Sequence, residues 1–149
     1  MTAIATIGYQ AATVPSFLLA LTDAGIELLV DIRAVASSRR PGFSKTALAA
    51  NLQGAGIDYL HLRGLGTPAE GRAAARAGKH DIMRDIFLEH METTAAQREL
   101  ETLSELTSAR RVCVLCFEAD PAHCHRSIVV EALNHRRPLR VTHLMPRDE

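Results

Sequence analysis

The most reactive side chains of this sequence are concentrated in one segment, from residue 116 to residue 127. The segment reads Cys-Phe-Glu-Ala-Asp-Pro-Ala-His-Cys-His-Arg-Ser, and it follows an apolar run that is typical of a buried strand. Arg126 begins a helical pattern, so Cys124 and His125 are expected at a helix N-terminus, where free N–H groups and the helix dipole stabilise a thiolate. Cys124 is therefore a candidate nucleophile, assisted by His125 and Arg126.

Two other interpretations of the cysteines stay open. Cys116, His123, Cys124 and His125 are residue types that bind zinc, but they lack the paired spacing of a closed tetrahedral site. Cys113 and Cys116 have C-x-x-C spacing, yet within a strand their sulfurs point to opposite faces. Free cysteines are also often simple core residues. We predict no bound metal, no cofactor and, from three cysteines confined to a dozen residues, no disulfide framework.

A second pair of charged side chains follows another apolar run. Asp31 and Arg33 stand two positions apart at the end of a predicted strand, so their side chains should leave the same face. An arginine fork suits a carboxylate or a phosphate in two-point contact. Asp31 and, further along the chain, Glu118 are the candidate acid and base groups. The alternative is that Asp31 and Arg33 form an ion pair that only orders the following loop.

Further candidates lie beside these groups. Arg39 and Arg40 precede a predicted helix, whose N-terminus favours an anion. Arg33, Arg39 and Arg126 together are therefore expected to hold an anionic ligand. His61, near the end of a predicted strand, could act as a base or could bond a backbone carbonyl in the core.

Strand and helix patterns alternate along the whole sequence. Predicted strands cover residues 4–7, 26–32, 57–62, 112–117 and 141–144, with helices predicted in most of the intervening segments. We interpret residues 63–79 as a long loop with at most one short helix, and Thr94 as the cap of a later helix. The alternation predicts an α/β class: one Rossmann-like three-layer domain over residues 1–149, with a mostly parallel sheet of about five strands.

Ligands of such sheets bind beyond the carboxyl ends of the strands. The candidate ligand-binding residues all follow a predicted strand or open a helix at that edge: Gly8, Tyr9, Arg33, Arg39, His61, Cys116 and Arg126. The candidate catalytic residues belong to the same edge: Asp31, Glu118, Cys124 and His125.

Composition narrows the range of partners. Seventeen basic residues balance seventeen acidic ones, which predicts no general attraction to nucleic acid or to an anionic membrane. An aromatic content of 4% without tryptophan argues against a base-stacking platform. No apolar run approaches the roughly 20 residues of a membrane span, and no secretory leader is evident. We therefore expect a cytoplasmic protein without a membrane partner.

Several short motifs resemble those of the DUF488 family, which is named for having no assigned function. The resemblance covers about residues 4 to 144 and is carried by Thr6-Ile-Gly8, Val30-Asp-Ile-Arg33, Ser38-Arg39, Phe43-Ser-Lys45, Tyr59-Leu-His-Leu62, Leu115-Cys-Phe-Glu118 and Cys124-His-Arg-Ser127. It implies an α/β fold and a shared polar constellation, but no reaction. Members typically carry His where this chain has Tyr9, and Leu-Gly-Gly where it has Leu65-Gly-Thr67; both differences fall on the expected ligand face.

The site residues favour an enzyme that acts on a phosphate- or carboxylate-bearing small molecule or a nucleotide. Paired carboxylates would suit hydrolysis or transfer at a glycosidic bond. A thiolate beside arginine would instead suit phosphoryl, sulfur or acyl transfer. The alternative is a non-catalytic module in which the same arginines recognise a nucleotide or, less favoured, a nucleic-acid backbone.

Overall fold

A five-stranded, wholly parallel sheet forms the centre of the molecule. The computed structural model describes residues 2–121 and 124–146, and the sheet has the strand order β3-β2-β4-β1-β5. The strands are β1 (Thr2–Gly8), β2 (Leu28–Asp31), β3 (Asp58–His61), β4 (Val112–Cys116) and β5 (Leu139–Leu144). The inner strands β2 and β4 are buried along their whole length, as their continuous aliphatic sequences predict.

Helices occupy the connections between the strands. They are α1 (Val14–Asp23), α2 (Lys45–Gly54), α3 (Ala69–Arg76), α4 (His80–Met91), α5 (Thr94–Ala109) and α6 (Arg126–Arg136), with a short 3-10 helix at Arg63–Leu65. None of the helices in the described ranges is both long and apolar enough to cross a membrane.

Two hydrophobic cores, one on each face of the sheet, define three layers. On one face, Phe17 and Leu21 of α1 and Leu48 and Leu52 of α2 pack against Leu29 and other strand residues. On the other face, side chains of α3 to α6 pack against the alternate strand residues, among them Val30, Ile32, Val112 and Val114. Successive strand residues point to opposite faces, which explains why neighbouring residues belong to different cores. The Rossmann-like three-layer prediction is confirmed.

The order of the strands determines where a cleft can form. From β1 the chain moves through α1 and α2 toward β3 at one edge, then reverses and crosses through α3 to α6 toward β5 at the other. Crossovers of one hand place the two sets of helices on opposite faces. The segments after β1 and β4, which are neighbours, therefore diverge, and ligands of open α/β sheets bind in the crevice that such divergence leaves.

One local prediction was wrong in detail. The side chain that caps α5 is that of Thr93, whose Oγ1 accepts a hydrogen bond from Ala96 N at 3.2 Å; Thr94 is already helical. The short helix allowed within residues 63–79 is α3, and a 3-10 helix precedes it; Leu65 and Ala74 are buried in the core and fix this segment against the sheet. Tertiary burial outweighs the turn-forming composition here.

Candidate functional site

A cavity of about 800 Å³ opens at the carboxyl ends of the strands. Its walls come from the segment after β1, the loop after β2, the region of α3 and α4, and the loop between β4 and α6. The position is the one that the strand order predicts, and the volume suits a metabolite or a nucleotide.

Arginines dominate the charged lining of this cleft. Among the described residues, five arginines line it together with two carboxylates: Arg33, Arg39, Arg40, Arg72 and Arg76, with Glu118 and Asp120. Arg72 and Arg76 lie one helical turn apart on α3 and therefore share a face. Arg72 Nη1 donates to the Thr67 carbonyl at 2.9 Å. Arg33 is paired with the buried Asp31, so the other four arginines and the two carboxylates leave the lining with four positive and two negative charges.

The Arg40 side chain is held by two contacts, and one of its N–H donors has no partner among the described residues. Its Nη2 donates to the carbonyl of Ala12, and its guanidinium lies 5.9 Å from the centre of the Phe43 ring. Its Nε is buried and has no hydrogen-bond partner among the described residues. A buried donor without a partner costs free energy, which a ligand acceptor would recover.

Asp31 and Arg33 form a buried two-point ion pair at the end of β2. Arg33 Nε donates to Asp31 Oδ1 at 2.9 Å, and Arg33 Nη2 donates to Oδ2 at 2.7 Å. The carboxylate also accepts the Arg33 backbone N–H at 3.0 Å and the Tyr59 hydroxyl at 2.6 Å. Asp31 is fully buried and lies outside the cleft lining. This geometry matches the alternative interpretation, in which the pair orders the loop; a role for Asp31 as acid or base is a prediction that the geometry does not favour.

The pair is supported by two tyrosines and a histidine. Burial raises the pKa of Tyr59, and its hydrogen bond to Asp31 adds to the rise. Burial by itself would lower the pKa of Arg33, but the bonds to Asp31 more than reverse this, so its pKa lies above the ordinary value. Tyr9 OH accepts from Arg33 Nη1 at 3.1 Å, and His61 Nε2 donates to the Arg33 carbonyl at 2.7 Å. Of the two roles considered for His61, the structure shows the bond to a backbone carbonyl.

Tyr9 lines the cleft, and its ring packs against two neighbouring aromatic rings. Its ring stacks on Phe43 at a centroid distance of 4.6 Å and meets Phe117 edge-on at 5.4 Å. It is only 2% exposed, so most of its surface holds the cleft wall together. Its hydroxyl also contacts Arg33, so Tyr9 joins the cleft wall to the buried ion pair.

Gly8 allows the loops after β1 and β4 to touch. A Cβ at this position would lie 1.8 Å from the Glu118 carbonyl oxygen and 2.9 Å from Arg126 Nη1. The contact continues beyond the strand, since Gln10 N donates to the Phe117 carbonyl at 2.8 Å and Gln10 Oε1 accepts from Ala119 N at 3.1 Å. Gly8 thus positions Glu118 in the cleft wall but lies outside the lining itself.

Arg126 is a fully buried connector. Its guanidinium donates to the carbonyls of Glu118 and Ala119, to Thr6 Oγ1 at 3.2 Å and to Cys116 Sγ at 3.2 Å. Its exposed fraction is zero and it does not line the cleft. Burial lowers the pKa of the guanidinium, although arginine stays protonated at neutral pH. The structure therefore places Arg126 where it holds the Glu118 loop, whereas we predicted a direct contact with the anion.

The two cysteines at the ends of that loop are joined. Cys116 and Cys124 form a disulfide, with Cys113 as a separate buried thiol. We predicted no disulfide framework, and the structure has this one bond, because the start of α6 lies beside the end of β4. Cys116 lines the cleft, whereas Cys124 lies outside the lining and is 3% exposed. A nucleophilic role for Cys124 would require this bond to be reduced first.

His125 is a buried neutral imidazole at the base of the cleft. Its Nε2 donates to the Ile32 carbonyl at 2.8 Å, which leaves Nδ1 facing Cys124 Sγ at 3.8 Å. Burial lowers its pKa to about 4, and the bond to Ile32 only partly opposes that shift. Ligand atoms of Cys116, Cys124 and His125 lie within 4.8 Å of one another. The two sulfurs are bonded to each other, however, so they do not coordinate an ion in this state; His123 lies outside the described residues.

The structure brings together about half of the predicted site. Six candidates line the cleft: Tyr9, Arg33, Arg39, Cys116, Glu118 and His125. The other five lie behind it or hold its walls: Gly8, Asp31, His61, Cys124 and Arg126. Sequence reasoning missed Arg72, Arg76 and Asp120. The spacing of Arg72 and Arg76 by four residues was a signal, but it required the intervening segment to be recognised as a helix.

The fold and the site define an α/β protein with a parallel sheet and an arginine-lined cleft at the carboxyl ends of its strands. Within that class, the family model described as "Domain of unknown function DUF488" matches residues 13–133. The chain belongs to the DUF488 family, as its motifs predict. No curated protein and no solved structure matched the chain.

Proposed function

We propose that this protein is an enzyme that acts on a phosphate- or carboxylate-bearing small molecule, such as a nucleotide, bound in the strand-end cleft. The observation that carries the proposal is the convergence of four arginines beyond the Asp31–Arg33 pair on one cavity of about 800 Å³: Arg39 and Arg40 from the loop after β2, and Arg72 and Arg76 from α3. Within the part of the chain that the structure describes, Arg39, Arg72 and Arg76 form no ion pair with a carboxylate. Charged donors that line a concave wall suit an anion.

The two carboxylates support catalysis over simple binding. Glu118 and Asp120 line the same cleft as the arginines, and each would repel an anionic ligand placed beside it. Negative groups in an anion site weaken binding unless they serve another purpose. Proton transfer to or from the ligand is such a purpose, and Glu118 is the better placed group because Gly8 and Arg126 contact its carbonyl and Gln10 holds the N–H of the next residue, Ala119. The reaction class that fits is hydrolysis or group transfer.

Phe117 favours a ligand with a planar ring. It lines the cleft, is 42% exposed and lies edge-on to Tyr9. An exposed aromatic ring beside an arginine-rich wall provides a stacking surface next to an anion site. A nucleotide offers a base to the former and a phosphate to the latter.

Thermal melts against a panel of nucleotides, sugar phosphates and dicarboxylates would identify ligands. A ligand at about 100 times its Kd stabilises the native state by about 2.7 kcal/mol. Arg76→Gln should weaken the selected ligand by roughly 10- to 100-fold, because a charge-assisted hydrogen bond is worth about 1.5–3 kcal/mol. Arg98→Gln is the matched control, since Arg98 is an exposed α5 residue away from the cleft. Equal effects of the two variants would reject the cleft as the anion site.

Glu118→Gln separates an enzyme from a binding module. If Glu118 transfers a proton, this variant should bind the ligand at least as tightly as the wild type and lose turnover by roughly 100-fold or more. Unchanged turnover would remove Glu118 from the chemistry. A nucleic-acid module would instead lose affinity steeply with salt, with a log–log slope of about −0.7 to −0.9 per phosphate contact.

A further inference from the structure

The loop between β4 and α6 is closed at both ends by cysteines. Cys116 is the last residue of β4, and Cys124 lies two residues before α6. The loop between them contributes Phe117, Glu118 and Asp120 to the cleft. Both cysteines are buried, with Cys116 1% and Cys124 3% exposed, so neither sulfur is open to bulk solvent. They differ in position, because Cys116 lines the cleft and Cys124 does not.

The surroundings of the two sulfurs also differ. Arg126 Nη1 donates to Cys116 Sγ at 3.2 Å. Cys124 Sγ accepts the backbone N–H of Arg126 at 3.4 Å, at the N-terminus of α6. The Nδ1 atom of His125 faces the same sulfur at 3.8 Å. Backbone N–H groups at a helix N-terminus stabilise a thiolate, so Cys124 is a good leaving group. The Arg126 guanidinium contacts Cys116 instead, and Cys116 is the cysteine that lines the cleft, where a reagent would arrive.

We propose that Cys116 and Cys124 are a reversible thiol–disulfide pair that exchanges with low-molecular-weight thiols and disulfides through the cleft. In the reducing direction, a thiolate RS⁻ attacks Cys116 Sγ; the bond between the cysteine sulfurs breaks, a mixed disulfide forms on Cys116, and Cys124 leaves as a thiolate. A second RS⁻ attacks the mixed disulfide at the R-bearing sulfur, which releases Cys116 as a thiolate and forms RSSR. Two electrons thus pass to the cysteine pair, and the two protons of the RSH molecules end on the cysteine sulfurs.

The pair links the redox state to the cleft wall. The oxidised pair fixes both ends of the loop that carries Glu118, whereas the reduced pair leaves this loop to the hydrogen bonds that Arg126 donates and the one that Gln10 Oε1 accepts from Ala119 N. Reduction therefore gives residues 117–121 more freedom without removing their remaining anchors. The proposal stands independently of the reaction that the cleft performs.

Equilibration of the wild-type protein in glutathione buffers of varied ratio, followed by alkylation after unfolding, tests the proposal. Mass spectrometry should show one alkylated cysteine, Cys113, in the oxidised protein and three in the reduced protein. The change between the two states should follow a two-electron transition as the glutathione ratio is varied. The wild type alone decides this arm, so it does not depend on the folding of any variant. Two outcomes would overturn the proposal. Either all three cysteines are alkylated at every glutathione ratio, so the pair never oxidises, or only one is alkylated even in a fully reducing buffer, so the pair never reduces.

Single replacements then test which sulfur reacts. Cys124→Ser should trap one glutathione per chain on Cys116 in oxidised glutathione, whereas Cys116→Ser should leave Cys124 at least about tenfold slower to react. Cys113→Ala is the matched control and should form the Cys116–Cys124 bond as the wild type does. A faster reaction at Cys124 than at Cys116 would contradict the assigned order of attack. Elemental analysis showing one zinc per chain, with alkylation of Cys116 and Cys124 rising only after chelation, would replace the redox pair by a metal site.

Discussion

Replacement of Asp31 by asparagine tests whether the buried ion pair holds the cleft or performs its chemistry. The change preserves the shape of the side chain but removes the charge that faces Arg33 Nε and Nη2 at 2.9 and 2.7 Å. The raised pKa of Arg33 means that this guanidinium stays charged while its carboxylate is present. In the variant, one amide N–H₂ would also face two donors, Arg33 Nη2 and the Tyr59 hydroxyl.

The expected cost is large. Removal of one partner of a buried ion pair typically costs about 3–5 kcal/mol of unfolding free energy. For a chain of this size each kcal/mol corresponds to roughly 2–4 °C in Tm, so the melting temperature should fall by roughly 6–20 °C. Asp58→Asn is the matched control: Asp58 pairs with Arg110 at 2.7 Å but is 69% exposed, and its loss should cost under about 1 kcal/mol.

Urea unfolding at neutral pH measures both values. If the cost arises from the uncompensated charge, the double variant Asp31→Asn with Arg33→Gln should be less destabilised than the sum of the single variants. An Asp31→Asn protein as stable as Asp58→Asn, with turnover abolished and ligand binding intact, would refute the structural interpretation and restore Asp31 as an acid or base.

Three further changes test other parts of the site. Arg126→Met should lose at least about 3 kcal/mol in urea unfolding, because it removes a fully buried guanidinium that bonds to Thr6, Cys116 and the part-buried carbonyls of Glu118 and Ala119; normal stability with lost ligand protection would instead return Arg126 to the anion site. Gly8→Ala should cost more than about 2 kcal/mol, whereas Gly54→Ala, whose Cβ would meet nothing within 4 Å, should be neutral or slightly stabilising, as differential melts would show. Stability should fall as pH falls from about 6.5 to about 4, since unfolded His125 takes up a proton in this window and folded His125 does not. The loss attributable to this residue is about 3 kcal/mol, and His125→Gln should show a flatter profile over the same range than the wild type.

Much of the fold could be predicted because its determinants are local. The aliphatic runs of β2 and β4 each specify one strand without reference to the rest of the chain. The start of α1 is equally local, since Thr13 Oγ1 accepts from Ser16 N at 3.1 Å within the first turn. The bounds of α3 do not follow from local sequence in this way, because Leu65 and Ala74 become buried only once the sheet has formed.

The sequence indicated which residues belong to the site, but not which of them line the cleft and which lie buried beneath it. The end of a strand identifies which residues reach the cleft edge, yet it does not say whether a side chain points into the cleft or back under it. Arg33 and Arg126 illustrate the difference, because both are arginines at the expected edge. Arg33 lines the cleft, whereas Arg126 turns inward to four acceptors supplied by Thr6, Cys116 and the loop carbonyls.

The buried and lining residues form two layers with different tasks. The inner layer is saturated: Asp31 accepts four hydrogen bonds, and the guanidinium of Arg126 bonds to four separate groups. A group whose bonding capacity is used within the protein can position its neighbours but has little left for a ligand. Arg39 and Arg76 are exposed, and Arg40 keeps a buried Nε without a partner. Because the inner layer fixes the backbone of the loops that carry the outer one, Asp31 and Arg126 preserve the shape of the cleft, while exposed residues of the outer layer, such as Arg39 and Arg76, keep donors for a ligand.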